Sequence, residues 1–225
     1  MTSTAARRPA RRTAGFSFIE ILVVMGIIAV LVGVGIGVYT IVTKKTPELK
    51  ARALLSKVRA DIEFWRGKYK AYPPSDFSKF GWVLGAGVKL GKPTPANVNN
   101  PGIEALYQSQ VTPGYGHNPD LSDAEKSNTD EDRLDKPFDP SGDATLWEIV
   151  DPWGNPLVYF TEGEYASADK APPTYVNGAG DAVTPRPYRT AAGGGFAQPS
   201  AYQLYSMGPD GQPNTDDDLK SWETD

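Results

Sequence analysis

A long apolar run near the N-terminus constrains the fold of this chain more than any other feature. The run extends from Phe16 to Thr43, and its last 23 residues, beginning at Ile21, carry no charge. A helix needs about 20 such residues to cross the hydrocarbon core of a bilayer. The sequence therefore predicts a transmembrane helix over residues 16–45.

The charges on either side of this run predict its orientation. Four arginines and no acidic residue lie within residues 1–15, whereas Lys44 and Lys45 follow the run. Positive charge is retained on the cytoplasmic side of a membrane, so we expect a single-pass protein with a cytoplasmic N-terminus and an exported C-terminal part. A cleaved secretory signal fits poorly, because its apolar region is shorter and ends at a small-residue cleavage site.

Glu20 places a carboxylate inside this apolar run. A charged side chain at the centre of a bilayer costs about 2.5–3.5 kcal/mol on insertion scales, and such residues are usually functional. A plain membrane anchor does not explain its presence. The run contains no basic side chain, so we expect that Glu20 has no partner in its own helix.

The segment AGFSFIEILVVMGIIAVL resembles the class III signal of type IV pilins and of the pseudopilins of type II secretion systems. In that family a prepilin peptidase cuts after a glycine and methylates the new N-terminal residue. The resemblance implies a leader peptide of residues 1–15, cleavage after Gly15 and methylation of Phe16. It further implies that Glu20 of one subunit pairs with the protonated Phe16 amine of a neighbouring subunit as a filament assembles.

Four glycines interrupt the apolar run, namely Gly26, Gly33, Gly35 and Gly37. Small residues in a membrane helix favour close packing of helices. The resemblance adds the alternative of a segment that partly unwinds in the filament. The sequence leaves both interpretations open.

Residues 46–72 predict the second, amphipathic half of a helical spine. Thr46, Pro47 and Glu48 form a helix-start signal, because they supply a capping hydroxyl, a proline suited to the first turn and an acid near the positive end of the helix dipole. Apolar residues then follow at spacings of three and four, namely Leu54, Val58, Ile62, Trp65 and Tyr69. Pro73 and Pro74 end the pattern.

The rest of the chain, residues 73–225, predicts a loop-rich α+β domain. Gly and Pro are both frequent, with 23 and 20 residues. Residues 102–110 predict a short helix, and three β-branched or aromatic runs predict strands at residues 146–150, 156–160 and 201–206. The expected fold is therefore α+β, with a long N-terminal helical spine packed on a small antiparallel β-sheet with long loops.

Two segments carry little regular pattern. Residues 118–143 contain nine acidic and three basic residues, which indicates a solvated surface loop, with a cation site as the alternative. Residues 161–200 are rich in Gly, Pro, Ala and Thr, which predicts an extended loop without a core of its own.

The C-terminal segment SMGPDGQPNTDDDL contains residues that are suited to binding a cation. Calcium takes six to eight oxygen ligands, and on the residues alone either a calcium site or a solvated acidic loop fits. Together with DPWGNPLVYF and NNPGIEALY, the segment resembles the major pseudopilins, core protein G of type II secretion systems, which end in a calcium loop. The resemblance implies one Ca²⁺ with ligands from Asp210, Asp218, Asp216, Ser206 and the Leu204 carbonyl.

The chain departs from those major pseudopilins in length. Cleavage after Gly15 leaves 210 of the 225 residues, and the excess lies in residues 75–143 and 161–200. The acidic C-terminal loop is also shorter than in the family. These differences leave open whether the chain is a major or a minor subunit.

The resemblance implies a structural protein that is anchored in the bacterial inner membrane, with its C-terminal domain in the periplasm. It would polymerise into a pseudopilus that drives type II protein secretion. Its expected partners are other copies of itself, minor pseudopilins, the prepilin peptidase and the inner-membrane assembly platform. A true type IV pilin of a surface fibre is the closest alternative.

Composition argues against several other classes of protein. A net charge of −4 provides no basic face for nucleic acid, and the absence of cysteine excludes disulfides and Cys-ligated metal sites. A membrane-anchored binding protein or enzyme is a more distant alternative, with candidate residues Asp139, Asp151, Glu148 and the single histidine, His117. No spacing groups these residues, so we expect that the protein is not an enzyme.

Overall fold

The computed structural model describes most of the chain, namely residues 17–79, 93–94, 99–112, 116, 119–135, 143–191 and 193–223. The side chains of residues 33–44, 79 and 93–94 lie outside this description. The chain divides into two compact units, residues 1–45 and residues 46–225. One helix, α1 (Phe18–Tyr69), contributes residues to both.

The described part of the first unit is helical from Phe18 onward. Every side chain of residues 17–32 is exposed, including Phe18 at 81% and Val30 at 66%. No described helix combines the length and the apolarity that crossing a bilayer requires. The transmembrane helix expected over residues 16–45 therefore stays a prediction.

Helix α1 continues through Thr46 and Pro47, so the helix-start signal at these residues does not begin a new helix, and the two halves of the predicted spine belong to one element. Proline removes one backbone hydrogen bond from a helix but does not always end it. The helix ends at Tyr69 rather than at residue 72, and Lys70 directly after it adopts a left-handed φ of 58°.

The second unit contains two further α-helices, three short 3₁₀ helices and nine short strands among its described residues. The α-helices are α2 (Pro101–Val111) and α3 (Tyr165–Lys170). The strands are β1 (Pro93–Thr94), β2 (Lys126–Ser127), β3 (Arg133–Leu134), β4 (Glu148–Ile149), β5 (Val158–Thr161), β6 (Tyr175–Val176), β7 (Ala182–Val183), β8 (Tyr202–Ser206) and β9 (Leu219–Lys220). The protein is therefore α+β, as the sequence predicts.

The main sheet contains three antiparallel strands in the order β5–β8–β9. Val158 pairs with Tyr205 in the first ladder, and Ser206 pairs with Leu219 in the second. Three two-stranded antiparallel ladders, β1–β3, β2–β4 and β6–β7, complete the described strands. The helix and the three strands that the sequence predicts in this unit are confirmed by α2, β4, β5 and β8.

The core of the second unit contains side chains of both α1 and the main sheet. The predicted apolar stripe of α1 is largely confirmed, since Leu54, Val58, Ile62 and Trp65 are at most 3% exposed and only Tyr69 is half-buried. The first three of these belong to one apolar cluster with sheet residues that include Val158, Phe160 and Leu204. The amphipathic period of the helix thus decides which face packs on the sheet.

The prediction that residues 161–200 form an extended loop is wrong, because this range contains α3, β6 and β7 and contributes to the core of the second unit. Tyr165 and Ala168 on α3, Tyr175 on β6 and Val183 on β7 are all buried in the main apolar cluster. Short elements separated by Gly and Pro leave too few residues for a visible period, so the sequence pattern missed them.

The prediction that residues 118–143 form a solvated loop is wrong in part. Asp132 is 2% exposed and Leu134 is 1% exposed, although Asp120 and Asp123 nearby are exposed. The β1–β3 and β2–β4 ladders hold this segment against the rest of the unit, so part of its acidic surface is buried.

Candidate functional site

Glu20 lies in the first turn of α1 and hydrogen-bonds with Ser17, the residue directly before the helix. Its Oε2 accepts a hydrogen bond from the Ser17 N–H at 2.7 Å, and Ser17 Oγ accepts one from the Ile19 N–H at 3.3 Å. Glu20 therefore has a hydrogen-bond partner at the residue before α1, and the expectation that no basic side chain of its own helix pairs with it stays a prediction. The first N–H groups of a helix lack acceptors within the helix. The Ser-x-x-Glu spacing, which can be read from the sequence, supplies acceptors for two N–H groups at this helix start, those of Ser17 and Ile19.

Exposed apolar side chains surround Glu20 along α1. The most exposed are Phe18 (81%), Ile19 (68%), Val30 (66%) and Leu31 (64%). An apolar surface of this kind marks a region that contacts lipid or another protein chain. Gly15 and Phe16, the predicted processing residues, lie outside the described residues.

Two predicted calcium ligands, Ser206 and Leu204, already have partners in the protein. Ser206 Oγ donates a hydrogen bond to Asp151 Oδ2 at 2.6 Å and accepts one from the Gly208 N–H at 3.1 Å. The Leu204 carbonyl accepts a hydrogen bond from the Ser221 N–H at 3.0 Å. Both residues are fully buried in β8, at the start of the C-terminal loop.

The predicted aspartate ligands are spread over the C-terminal loop rather than gathered. Asp210 and Asp216 are exposed, whereas Asp218 is 5% exposed. Asp210 Oδ1 accepts a hydrogen bond from the Gln212 N–H at 2.8 Å. In the described part of the chain, these aspartates do not form a group of three close enough to share one metal ion.

Among the described aspartates of the C-terminal loop, Asp218 alone is buried. Its Oδ2 accepts hydrogen bonds from the Tyr188 hydroxyl and from the Asn214 N–H, the latter at 2.7 Å. Its Oδ1 has no hydrogen-bond partner among the described residues. Burial raises the pKa of Asp218 to about 6, although both hydrogen bonds act to lower it.

Asparagine side chains that the sequence interpretation missed hold the loop in place. Asn155 Nδ2 donates to the Gly208 carbonyl at 2.8 Å, and Asn177 Nδ2 donates to the Gly211 carbonyl at 3.1 Å. Gly208 has a φ of 65°, and a Cβ added there would lie 2.6 Å from the Asp217 carbonyl oxygen. Only glycine fits this turn, so the Ser-x-Gly-x-Asp-Gly pattern has a backbone reason.

Of the residues of the enzyme alternative, the structure describes Glu148 and Asp151. Glu148 and Asp151 are both buried, and each accepts hydrogen bonds from nearby backbone N–H groups. His117 and Asp139 lie outside the described residues.

Comparison with known proteins gives one match, at the N-terminus. Residues 10–36 match a family model described as the prokaryotic N-terminal methylation motif. This motif is a type IV pilin-like prepilin signal. It supports a type IV pilin-like protein that is processed by a prepilin peptidase, and the matched range includes Gly15, Phe16 and Glu20, whose individual roles stay predictions. Neither the curated proteins nor the solved structures yield a match.

Proposed function

We propose that this pilin-like chain is a structural subunit that polymerises through its N-terminal helix after prepilin-peptidase processing. The single observation that carries the proposal is the methylation motif over residues 10–36. The exposed apolar face of residues 17–32 supports it, because such a surface is stabilised by lipid before assembly and by neighbouring subunits afterwards.

At the finer level, we propose a pseudopilus of a type II secretion system. The protein is anchored in the inner membrane with its second unit in the periplasm, and it assembles with minor pseudopilins on an inner-membrane platform. The support is the resemblance of the C-terminal half to major pseudopilins, including the turn from Ser206 to Gly211. A surface pilus is the other outcome that an assembly experiment can return.

Glu20 has two roles that an experiment can separate. As a cap, it accepts the Ser17 N–H and stabilises the first turn of α1. As an assembly residue, its negative charge pairs with the Phe16 amine of a neighbouring subunit. A glutamine at this position keeps the capping oxygen but loses the charge, whereas an alanine loses both.

The test compares Glu20→Gln and Glu20→Ala in cells, with Glu48→Gln as the matched control. Glu48 lies on the same helix and forms an (i, i+4) ion pair with Arg52. Intact-mass measurement of the N-terminus reports cleavage and methylation of Phe16, and cross-linking followed by electron microscopy reports filaments. We expect a methylated Phe16 N-terminus in all variants, and filaments only in the wild type and in Glu48→Gln.

Two results would count against this proposal. Normal filaments from Glu20→Gln, with loss only in Glu20→Ala, would assign Glu20 a capping role alone. A native N-terminus that still begins at Met1 would remove prepilin processing itself. The location of the wild-type filaments, periplasmic or on the cell surface, distinguishes a pseudopilus from a pilus.

Calcium binding at the C-terminal loop is part of the same proposal. The buried Asp218 Oδ1, which lacks a partner among the described residues, supports it. The other ligands that the resemblance implies are Asp210, Asp216, Ser206 and the Leu204 carbonyl.

A further inference from the structure

Three acidic side chains from two separate elements meet in the interior of the second unit. Glu104 belongs to α2, whereas Asp130 and Asp132 belong to the loop between β2 and β3. Each offers a carboxylate oxygen, and these three oxygens lie within 4.8 Å of one another. Glu104 is 0% exposed and Asp132 is 2% exposed, so water does not solvate them as it solvates a surface carboxylate.

The oxygens of this cluster are largely unpartnered. Both carboxylate oxygens of Glu104, both of Asp132 and Oδ2 of Asp130 have no hydrogen-bond partner among the described residues. A buried carboxylate is normally paired, hydrogen-bonded or bound to a metal ion, because an isolated buried charge is strongly unfavourable. The unpartnered oxygens of Glu104 therefore point, independently of the acid count, to a ligand of positive charge.

The electrostatics of the cluster agree with the geometry. Burial, and then the carboxylates of Asp132, Asp130 and Glu148, raise the pKa of Glu104 to about 11. Burial, and then Asp130 and Glu148, likewise raise the pKa of Asp132 to about 7. A cation at the centre of the group would oppose every one of these effects.

The surrounding structure fixes the loop that carries Asp130 and Asp132. Glu148 on β4 accepts the Thr129 N–H with both carboxylate oxygens at 3.0 Å. The side chain of Asn128 also fixes the backbone of Asp132 by two hydrogen bonds. Its Oδ1 accepts one from the Asp132 N–H at 3.2 Å, and its Nδ2 donates one to the Asp132 carbonyl at 2.8 Å. The carboxylates are therefore held near Glu104 before any ligand binds.

We propose that Glu104, Asp130 and Asp132 bind a divalent cation, with calcium as the preferred ion. Two oxygens bound to one Ca²⁺ at about 2.3–2.6 Å lie at most about 5 Å apart, which the cluster satisfies. A set of ligands made only of carboxylates selects a hard cation. Calcium accepts a more flexible coordination geometry than magnesium, so it is better suited to carboxylates that come from two separate elements. The site is separate from the C-terminal loop and does not depend on the proposed assembly function.

The test uses the full-length chain, purified in detergent and freed of divalent ions with a chelator. Equilibrium dialysis counts the Ca²⁺ ions bound per chain, and thermal melting measures their effect on stability. We expect Glu104→Gln and Asp132→Asn each to bind one Ca²⁺ fewer than the wild type and to lose the corresponding rise in melting temperature. Asp120→Asn, an exposed change of the same charge in the same segment, is the matched control and should bind as the wild type does.

The chelated proteins provide a second readout that separates a cation site from a purely structural cluster. In chelator, Glu104→Gln and Asp132→Asn should melt no lower than the wild type. Each change removes one carboxylate from a buried acidic cluster whose oxygens lack hydrogen-bond partners among the described residues. Variants that are unstable or unfolded in chelator would overturn the proposal, as would a wild type that binds no more Ca²⁺ than Glu104→Gln. A melting response to Mg²⁺ but not to Ca²⁺ would overturn the choice of ion.

Discussion

The hydrogen bond between Ser206 and Asp151 joins the C-terminal loop to the turn before β5. Ser206 Oγ lies 2.6 Å from Asp151 Oδ2, and both residues are at most 1% exposed. Asp151 Oδ1 meanwhile accepts the N–H groups of Trp153 and Asn155, each at 2.9 Å. Ser206→Ala would therefore leave one carboxylate oxygen of Asp151 and the Gly208 N–H without their buried partner.

The size of the effect follows from these contacts. A hydrogen bond to a charged group contributes about 1.5–3 kcal/mol, and the loss is largest where the remaining partner stays buried. We therefore expect Ser206→Ala to lower the free energy of unfolding by about 1.5–3 kcal/mol. For a chain of this length, that corresponds to a fall in melting temperature of about 3–12 °C.

The assay is thermal melting of the full-length chain in detergent, followed by tryptophan fluorescence, with chelator and with Ca²⁺. Ser200→Ala, at an exposed serine, is the control and should melt as the wild type does. If Ser206 stabilises the protein through its contact with Asp151, the lower melting temperature of Ser206→Ala is present in chelator as well. Equal melting of Ser206→Ala and the wild type in chelator, with a difference only in Ca²⁺, would refute this reasoning and favour the ligand role.

Two further predictions concern packing in the second unit, and the same melting assay tests both. Gly102→Ala should lower the free energy of unfolding by about 1–3 kcal/mol or more. The reason is that the new Cβ would lie 2.2 Å from the Tyr159 carbonyl oxygen and 2.7 Å from the Tyr175 hydroxyl. A variant that melts as the wild type does would contradict this close approach. Ile62→Ala, at a fully buried position, should lower the free energy of unfolding by about 2–5 kcal/mol. Leu49→Ala, at 66% exposure on the same helix, should lower it by no more than about 0.5 kcal/mol. Equal losses in the two variants would contradict the assigned buried face of the helix.

Elements with a strong local pattern could be predicted from the sequence. The spacing of Leu54, Val58 and Ile62 gives the buried face of α1, because a helix repeats every 3.6 residues whatever it packs against. The runs that form β5 and β8 are likewise bounded by turn residues and rich in aromatic and β-branched side chains. In both cases the signal lies within a few neighbouring residues.

Contacts between distant parts of the chain could not be predicted in the same way. Ser206 and Asp151 are separated by 55 residues, and no period in the sequence relates them. Tyr175 is buried because a short hairpin returns to the core, and two-residue strands carry no measurable alternation. The hydrogen bond between Ser17 and Glu20 is different, because the two residues are three apart and the Ser-x-x-Glu spacing is itself a signal of a helix start.

The number of aspartates in a segment is a weaker guide to a cation site than the state of their oxygens. In the C-terminal loop, Asp210 and Asp217 already accept hydrogen bonds from backbone N–H or hydroxyl groups of the loop itself. An ion there must compete with those donors, because each lone pair serves one partner at a time. At Glu104 and Asp132 no described donor competes, and burial removes water as a rival ligand. If both places bind calcium, the interior cluster therefore requires less rearrangement of the protein than the acid-rich loop.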